Sequence, residues 1–216
     1  MSDPIFVFDK DGVIVDTEAI KVRIYEEMIA REYPDKVEAV HAYAFDTIGK
    51  PRLEKFIHIF QHIIGLNQKD AYKKAQAYVD ESLELYKPVL AEAKLVPGIK
   101  DFLQNTPHLK FVCSAAHKSE VDAHLYGNNL TPFLQDWYST TNKAEILLML
   151  KRKFDTQVVF WGDTMPDYEA AKKADVPFIG VVLPGLERAF EKMGVPVIQD
   201  FRKKKKILKL LDKLTF

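Results

Sequence analysis

Residues 6–18, FVFDKDGVIVDTE, start apolar and turn acidic within three positions. Phe6, Val7 and Phe8 have the aromatic and β-branched character of a buried strand. Asp9, Lys10 and Asp11 follow at once, and Gly12 then offers a turn. Carboxylates two residues apart repel each other, and a plain strand end gains nothing from them. A buried strand closed by a costly acidic pair points to an α/β sheet, where ligands collect beyond the carboxyl ends of the strands.

Further apolar runs of strand length recur at Leu109–Cys113, Trp137–Ser139, Val158–Trp161, Phe178–Leu183 and Val195–Ile198. Helix-like stretches lie between them, at Gly98–Asn105, Ser119–Tyr126, Lys143–Lys153 and Asp167–Ala174. That alternation predicts βαβ units and a parallel sheet. From Thr17 to about Ala91 only helical periodicity is present. One helix is expected near Thr17–Glu32, a second after Pro51, and a third from Asn67, with Asp70 completing a box-like cap. The expected fold class is α/β, a Rossmann-like parallel-sheet core with an inserted all-helical cap domain. The core takes residues 1–15 and 92–216, and the cap residues 16–91.

Composition sets the bounds. The chain has 216 residues, 47% of them hydrophobic and 29% charged, with a formal net charge of zero. That balance suits a soluble globular protein and gives no field to draw it to nucleic acid or acidic membranes. The single cysteine, Cys113, excludes an internal disulfide and fits a reducing compartment. Acidic residues interrupt the first positions, and no apolar run nears the roughly 18 residues of a membrane span. A cytoplasmic protein is expected, with no nucleic-acid or membrane partner.

Four short motifs fall at the same edge of the expected sheet. Asp9 and Asp11 follow the first strand, and Ser114, in FVCSAA, follows the second. Lys143, in TTNKAE, opens the helix after the third, and Asp163 and Asp167, in GDTMPD, follow the fourth. Singly, each has an ordinary reading: a solvated acidic pair, a turn serine, a surface lysine, a capped helix. Together they suit one chemistry. Carboxylates from two strands can hold a hard divalent cation. A lysine ammonium, a serine hydroxyl and the backbone N–H groups near a helix start can hold an anion. The set describes a phosphate site beside a nucleophilic carboxylate.

DKDGVIVDTE, FVCSA, Lys143 and GDTMPDYEAAKKA together resemble the motifs of the haloacid dehalogenase-like superfamily, in its branch of small cap-bearing phosphatases. The resemblance implies a role for each residue. Asp9 is the nucleophile that forms an aspartyl-phosphate, and Asp11 is the general acid and base. Mg²⁺ bridges the Asp9 carboxylate, the Asp11 backbone carbonyl and Asp163, while Asp167 holds a metal-bound water or orients Lys143. Ser114, Ala115 and Lys143 bind the phosphate. Asp11 argues against dehalogenation and against transport ATPases, and Lys21 stands where mutases of this branch usually carry His. Lys10 replaces a commoner apolar residue and Ala115 a commoner Asn or Ser. Both positions can act through backbone, so their side chains are expected to bear on substrate preference and not on chemistry.

The leading expectation is a Mg²⁺-dependent phosphatase for a small phosphorylated metabolite, as a monomer or weak dimer. Alternatives are a phosphosugar mutase, a phosphonate hydrolase with Lys21 as Schiff base, and, from another class, a non-enzymatic receiver-like phosphate sensor. In IGKPRLEKF, Gly49 and Pro51 break the helices, and Lys50 and Arg52 beside Lys21 are candidate specificity residues. His58 and His62 share helical spacing like a metal pair but suit ordinary cap side chains better. Ile207, Leu208, Leu210, Leu211 and Leu214 suit a terminal helix packed on the sheet. Cys113 suits a buried strand.

Overall fold

The computed structural model describes residues 3–47, 50–90, 93–182, 190, 192–212 and 214. The chain divides into two compact units, Met1–Asp16 with Lys94–Phe216, and Thr17–Ala93.

The first unit is built on six strands: β1 (Ile5–Phe8), β2 (Lys110–Ser114), β3 (Asp136–Ser139), β4 (Val158–Gly162), β5 (Phe178–Val181) and β6 (Val197–Ile198). Their order is β3-β2-β1-β4-β5-β6, and every pairing is parallel. β1, β2, β4 and β5 are buried at every residue, as a sheet covered on both faces requires. Edge strand β3 is half-exposed. Three strands end earlier or start later than their apolar runs: β2 starts at Lys110, β5 ends at Val181 and β6 starts at Val197. Leu183 lies outside the described residues. At the start of β6, Pro196 has no N–H to give the ladder, although its carbonyl accepts from Gly180 N at 2.9 Å.

Alternation along the strands divides the core. Ile5, Val7, Phe111, Cys113, Val158 and Phe160 pack with Leu147, Leu150 and Ala171. Those last three come from α7 (Lys143–Phe154) and α8 (Met165–Lys173). Phe6, Phe8 and Trp161 point the other way and meet Phe102 of α5 (Ile99–Asn105) and Phe201. Phe8 and Trp161 stack with centroids 5.7 Å apart, and Phe102 and Phe201 lie 5.1 Å apart. Fully burying each such ring contributes about 1.5–3 kcal/mol. In α9 (Lys204–Leu211), Ile207 is buried but Leu208 is 55% exposed, so one of the leucines expected on the sheet faces solvent. A further helix of this unit, α6 (Lys118–Gly127), follows β2.

The second unit is helical: α1 (Glu18–Ala30), α2 (Val37–Asp46), α3 (Arg52–His58) continued by a π-helical stretch (Ile59–Ile64), and α4 (Gln68–Leu90). Its core holds Tyr25, Met28, Val40, Phe56, Phe60 and Tyr78. Asn67 caps α4, accepting from Asp70 N at 3.0 Å while its amide donates to the Asp70 carboxylate at 2.7 Å. α2 was not legible as a separate helix, because it buries only Val40 and Ala44 and leaves Phe45 partly outside the pattern. His58 stacks on Tyr43, with centroids 4.1 Å apart, and lies 4.6 Å from the His62 ring. The pair belongs to no metal-capable group among the described residues.

Candidate active site

The sheet order reverses between β1 and β4, since the chain runs outward through β2 and β3 and resumes on the other side at β4. A crevice at the carboxyl ends of the strands is expected there. Asp9 closes β1, its N–H donating to Trp161 O at 2.8 Å, and Asp163 and Asp167 follow β4. Oxygens of Asp9, Asp163 and Asp167 lie within 4.8 Å of one another.

Two glycines make that approach possible. Gly12 has φ +75°, and a Cβ there would lie 2.1 Å from Asp163 Oδ2. The loop after β1 therefore rests directly against the carboxylate after β4. At Gly162 a Cβ would lie 2.5 Å from Asp167 Cβ, so only glycine lets the start of α8 come this close to its strand. Thr164 and Asp167 form a reciprocal cap at that helix start. Thr164 Oγ1 and N donate to Asp167 Oδ2 at 2.6 and 3.2 Å.

Lys143, the first residue of α7, is nine-tenths buried between two of the acids. Its Nζ lies 2.5 Å from Asp167 Oδ1 and 2.9 Å from Asp9 Oδ1. The first contact is a hydrogen bond. The second is a charge-assisted contact at hydrogen-bonding distance with the buried Asp9 oxygen. Burial raises the Asp9 carboxyl, Asp167 and Asp11 raise it further, and Lys143 only partly offsets them, so it reaches about 7. Burial disfavours the Lys143 ammonium, but Asp9 and Asp167 outweigh it and hold the group protonated well above the ordinary lysine range.

Ser114 ends β2 at the same edge. Its Oγ accepts from Ala116 N at 3.1 Å, and its carbonyl accepts from Thr140 N at 2.8 Å. Ala115 beside it is exposed. Cys113 is fully buried, and burial pushes its thiol up to about 12, which suits packing and not reactivity.

Of the four acids expected to hold a metal, three carboxylates converge, and Asp11 is not among them. Its Oδ1 instead accepts from Lys10 Nζ at 3.0 Å. Lys10, whose side chain was expected to bear on substrate preference, does not reach the surface. The side chain is wholly buried, and its Nζ also donates to His124 Nδ1 of α6 at 3.2 Å. Thr164 and His124 were missed. A helix cap was legible at GDTMPD, but nothing near His124 in the sequence signals a partner for Lys10.

The other expected residues lie in the helical unit. Lys21 pairs with Glu18 one turn away, and the Arg52 guanidinium lies over the Tyr86 ring at 5.5 Å. Lys50 is exposed, and Gly49 lies outside the described residues. A further cation, Lys55, is 3% exposed.

A profile of the haloacid dehalogenase-like hydrolases matches residues 6–181. No curated protein matches the chain in sequence. Among solved structures, a haloacid dehalogenase family hydrolase from Deinococcus radiodurans, with bound phosphate and sodium, aligns over 98% of this chain and 97% of its own at TM-score 0.75 and 15% identity. A Clostridium difficile protein proposed to be a phosphatase aligns over 96% and 99% at 0.71 and 18%. A Thermotoga maritima protein proposed to be a β-phosphoglucomutase aligns over 98% and 100% at 0.66 and 21%. At these identities the likeness is one of fold.

Proposed function

Since the chain belongs to the haloacid dehalogenase-like hydrolases, we propose that it is a Mg²⁺-dependent phosphatase that hydrolyses a small phosphomonoester through an aspartyl-phosphate. One observation carries this reading. The Asp9 carboxylate is buried at the sheet reversal, held by an ammonium at 2.9 Å and faced by two more carboxylates.

The donor set suits a hard divalent cation, since all three ligand groups are carboxylate oxygens. Asp9 and Asp163 would hold it, with the Asp11 backbone carbonyl. Asp167 has Lys143 on one oxygen and Thr164 on the other, which supports its role in orienting Lys143. Bound Mg²⁺ supplies positive charge against the phosphoryl oxygens.

The protein's own residues perform the rest. Asp9 attacks phosphorus as the bond to the leaving oxygen breaks, and Asp11 gives that oxygen a proton. Asp11 then takes a proton from water as the water oxygen attacks the phosphoryl group, which frees Asp9 and phosphate. Lys143 and the Ser114 hydroxyl hold the phosphoryl oxygens, where charge neutralisation matters more than covalent help. Lys21, Lys50 and Arg52 in the helical unit contribute binding energy from the part of the substrate remote from phosphorus. That unit acts as a cap.

Rapid-quench mass spectrometry with a phosphate ester tests the reading. A phosphoryl group is expected on the peptide containing Asp9, absent in Asp9→Asn, with turnover lost in chelator. A label on Ser114, or turnover in Asp9→Asn, would refute it.

A further inference from the structure

Each of the two acids that close β1 has its own lysine. Asp9 is paired with Lys143, and Asp11 with Lys10. The second pair is unusual because of where the lysine sits. Burying an ammonium costs several kcal/mol unless it is well paired, and an aliphatic side chain would fill the same space without that cost. Lys10 is 0% exposed, whereas the Asp11 side chain keeps 20% of its surface accessible. The lysine therefore meets no substrate, and whatever it does passes through Asp11.

Its placement is determined at both ends. The Lys10 carbonyl accepts from Ile14 N and Val15 N at 2.9 and 3.0 Å, which ties the loop after β1 back on itself. The Nζ is held by Asp11 Oδ1 and by His124 Nδ1, at 3.0 and 3.2 Å. His124 is 3% exposed. Acceptance at Nδ1 assigns the imidazole proton to Nε2, so the ring is the neutral tautomer that braces a cation without repelling it.

We propose that Lys10, braced by His124, is a positioning residue that fixes where the Asp11 carboxylate points, so that it meets the leaving oxygen and later the attacking water. This rests on the reading of Asp11 as acid and base. Proton transfer by a positioned group contributes about 10²–10⁴-fold, and a displacement of about 1 Å can forfeit 10²-fold. Losing the brace forfeits part of that at both transfers, and the first, which kcat/KM reports, is slowed only where the leaving group needs a proton.

The experiment is a leaving-group series, from p-nitrophenyl phosphate to glycerol phosphate, with kcat and KM measured separately. For Lys10→Met, kcat/KM on the alkyl ester is expected to fall about 10–100-fold through kcat, with little change in KM and under about 3-fold loss of kcat/KM on p-nitrophenyl phosphate, which departs without a proton. His124→Leu is expected to move kcat/KM in the same leaving-group-dependent way by about 3–10-fold, with His124→Gln, which keeps an acceptor, recovering part. In the Asp11→Asn background, Lys10→Met is expected to add nothing. Equal losses of kcat/KM on both esters, or additive losses in the double variant, would overturn the proposal. If Lys10→Met does not fold, His124→Leu, which leaves both charges in place, decides by the same comparison. Asp11→Asn alone tests the underlying reading. If it shows no dependence on the leaving group, the acid–base role itself fails, and the proposal with it. If it does and Lys10→Met does not, only the positioning role fails.

Discussion

Lys143 and Lys55 are both nearly inaccessible lysines, 9% and 3% exposed, one in each unit, and their ammonium groups are pushed in opposite directions. Lys143 is raised because Asp9 and Asp167 outweigh its burial. Lys55 is lowered to about 8, first by burial and then by Lys21, Arg52 and Lys50, with Glu18 a partial offset. Among the described residues no carboxylate lies within ion-pair distance of Lys55, and its Nζ lies 5.9 Å from the centre of the Tyr25 ring. Burial alone disfavours the charge, and the carboxylates decide whether it is kept. The contrast extends to the surroundings. In the sheet unit, the carboxylates of Asp9, Asp11, Asp163 and Asp167 outnumber the ammonium groups of Lys10 and Lys143. Around Lys55 the cations outnumber Glu18. The first imbalance suits a cation, and the second an anionic substrate.

The sharpest way to break the comparison is to remove each charge while keeping the volume. Lys143→Met leaves Asp9 and Asp167 facing each other without a counter-charge. A loss of about 3–5 kcal/mol in stability is expected in urea melts, together with loss of turnover. Lys55→Met removes a charge that no ion pair holds among the described residues, and the stability at pH 7 is expected to stay level or rise by about 1–3 kcal/mol. A Lys55→Met variant that melts as badly as Lys143→Met would show that a hidden partner holds Lys55.

The pH dependences should also run in opposite directions. In the metal-free protein the Asp9 carboxyl is near 7 against 3.8 when unfolded, so the folded state binds the extra proton between those values. Its contribution to stability therefore falls as pH rises through that window. Mg²⁺ competes with the same proton. Calorimetry in two buffers of different ionisation enthalpy is expected to show close to one proton released per Mg²⁺ at pH 6, and little at pH 8. Lys55 is near 8 folded against 10.5 unfolded, so the folded state binds fewer protons between these values. Stability gains from Lys55 as pH rises through that window, and Lys55→Met should flatten the slope. Buffer-independent heats at pH 6 would sink the Asp9 assignment.

The smallest effect expected is on the exposed side of the cationic cluster. Arg52→Ala or Lys50→Ala should raise KM about 3–10-fold on a preferred substrate, with less effect on p-nitrophenyl phosphate. An equal loss on both, carried in kcat, would place these residues in folding or in the chemical step.

The chain's own order displayed much of this in advance. Short apolar runs ending in Asp9, Ser114 and Asp163 were legible because burial and termination are local properties of a strand. Lys143 was legible because it opens a helix immediately after β3. The extent of β6 was overread, since hydrophobicity marks burial while Pro196 limits the hydrogen-bonding ladder. α2 was missed because its buried positions are too few to set a period.

By itself, then, the sequence determined the alternation of strands and helices, the helical insertion's periodicity, and a set of acids, a serine and a lysine at one edge of a parallel sheet. Each of these depends on residues within a few positions of one another. Only the tertiary structure decided which lysine serves which acid. Lys10 and His124 are 114 positions apart, and Lys143 and Asp167 are 24 apart. Their meeting depends on β1 lying between β2 and β4, and on the helices that follow β2 and β3 packing beside it. Lys10 meets Asp11 as its neighbour in the chain, but a charge pattern along the chain cannot supply His124 or the partners of Lys143, because those are brought in by packing across the sheet.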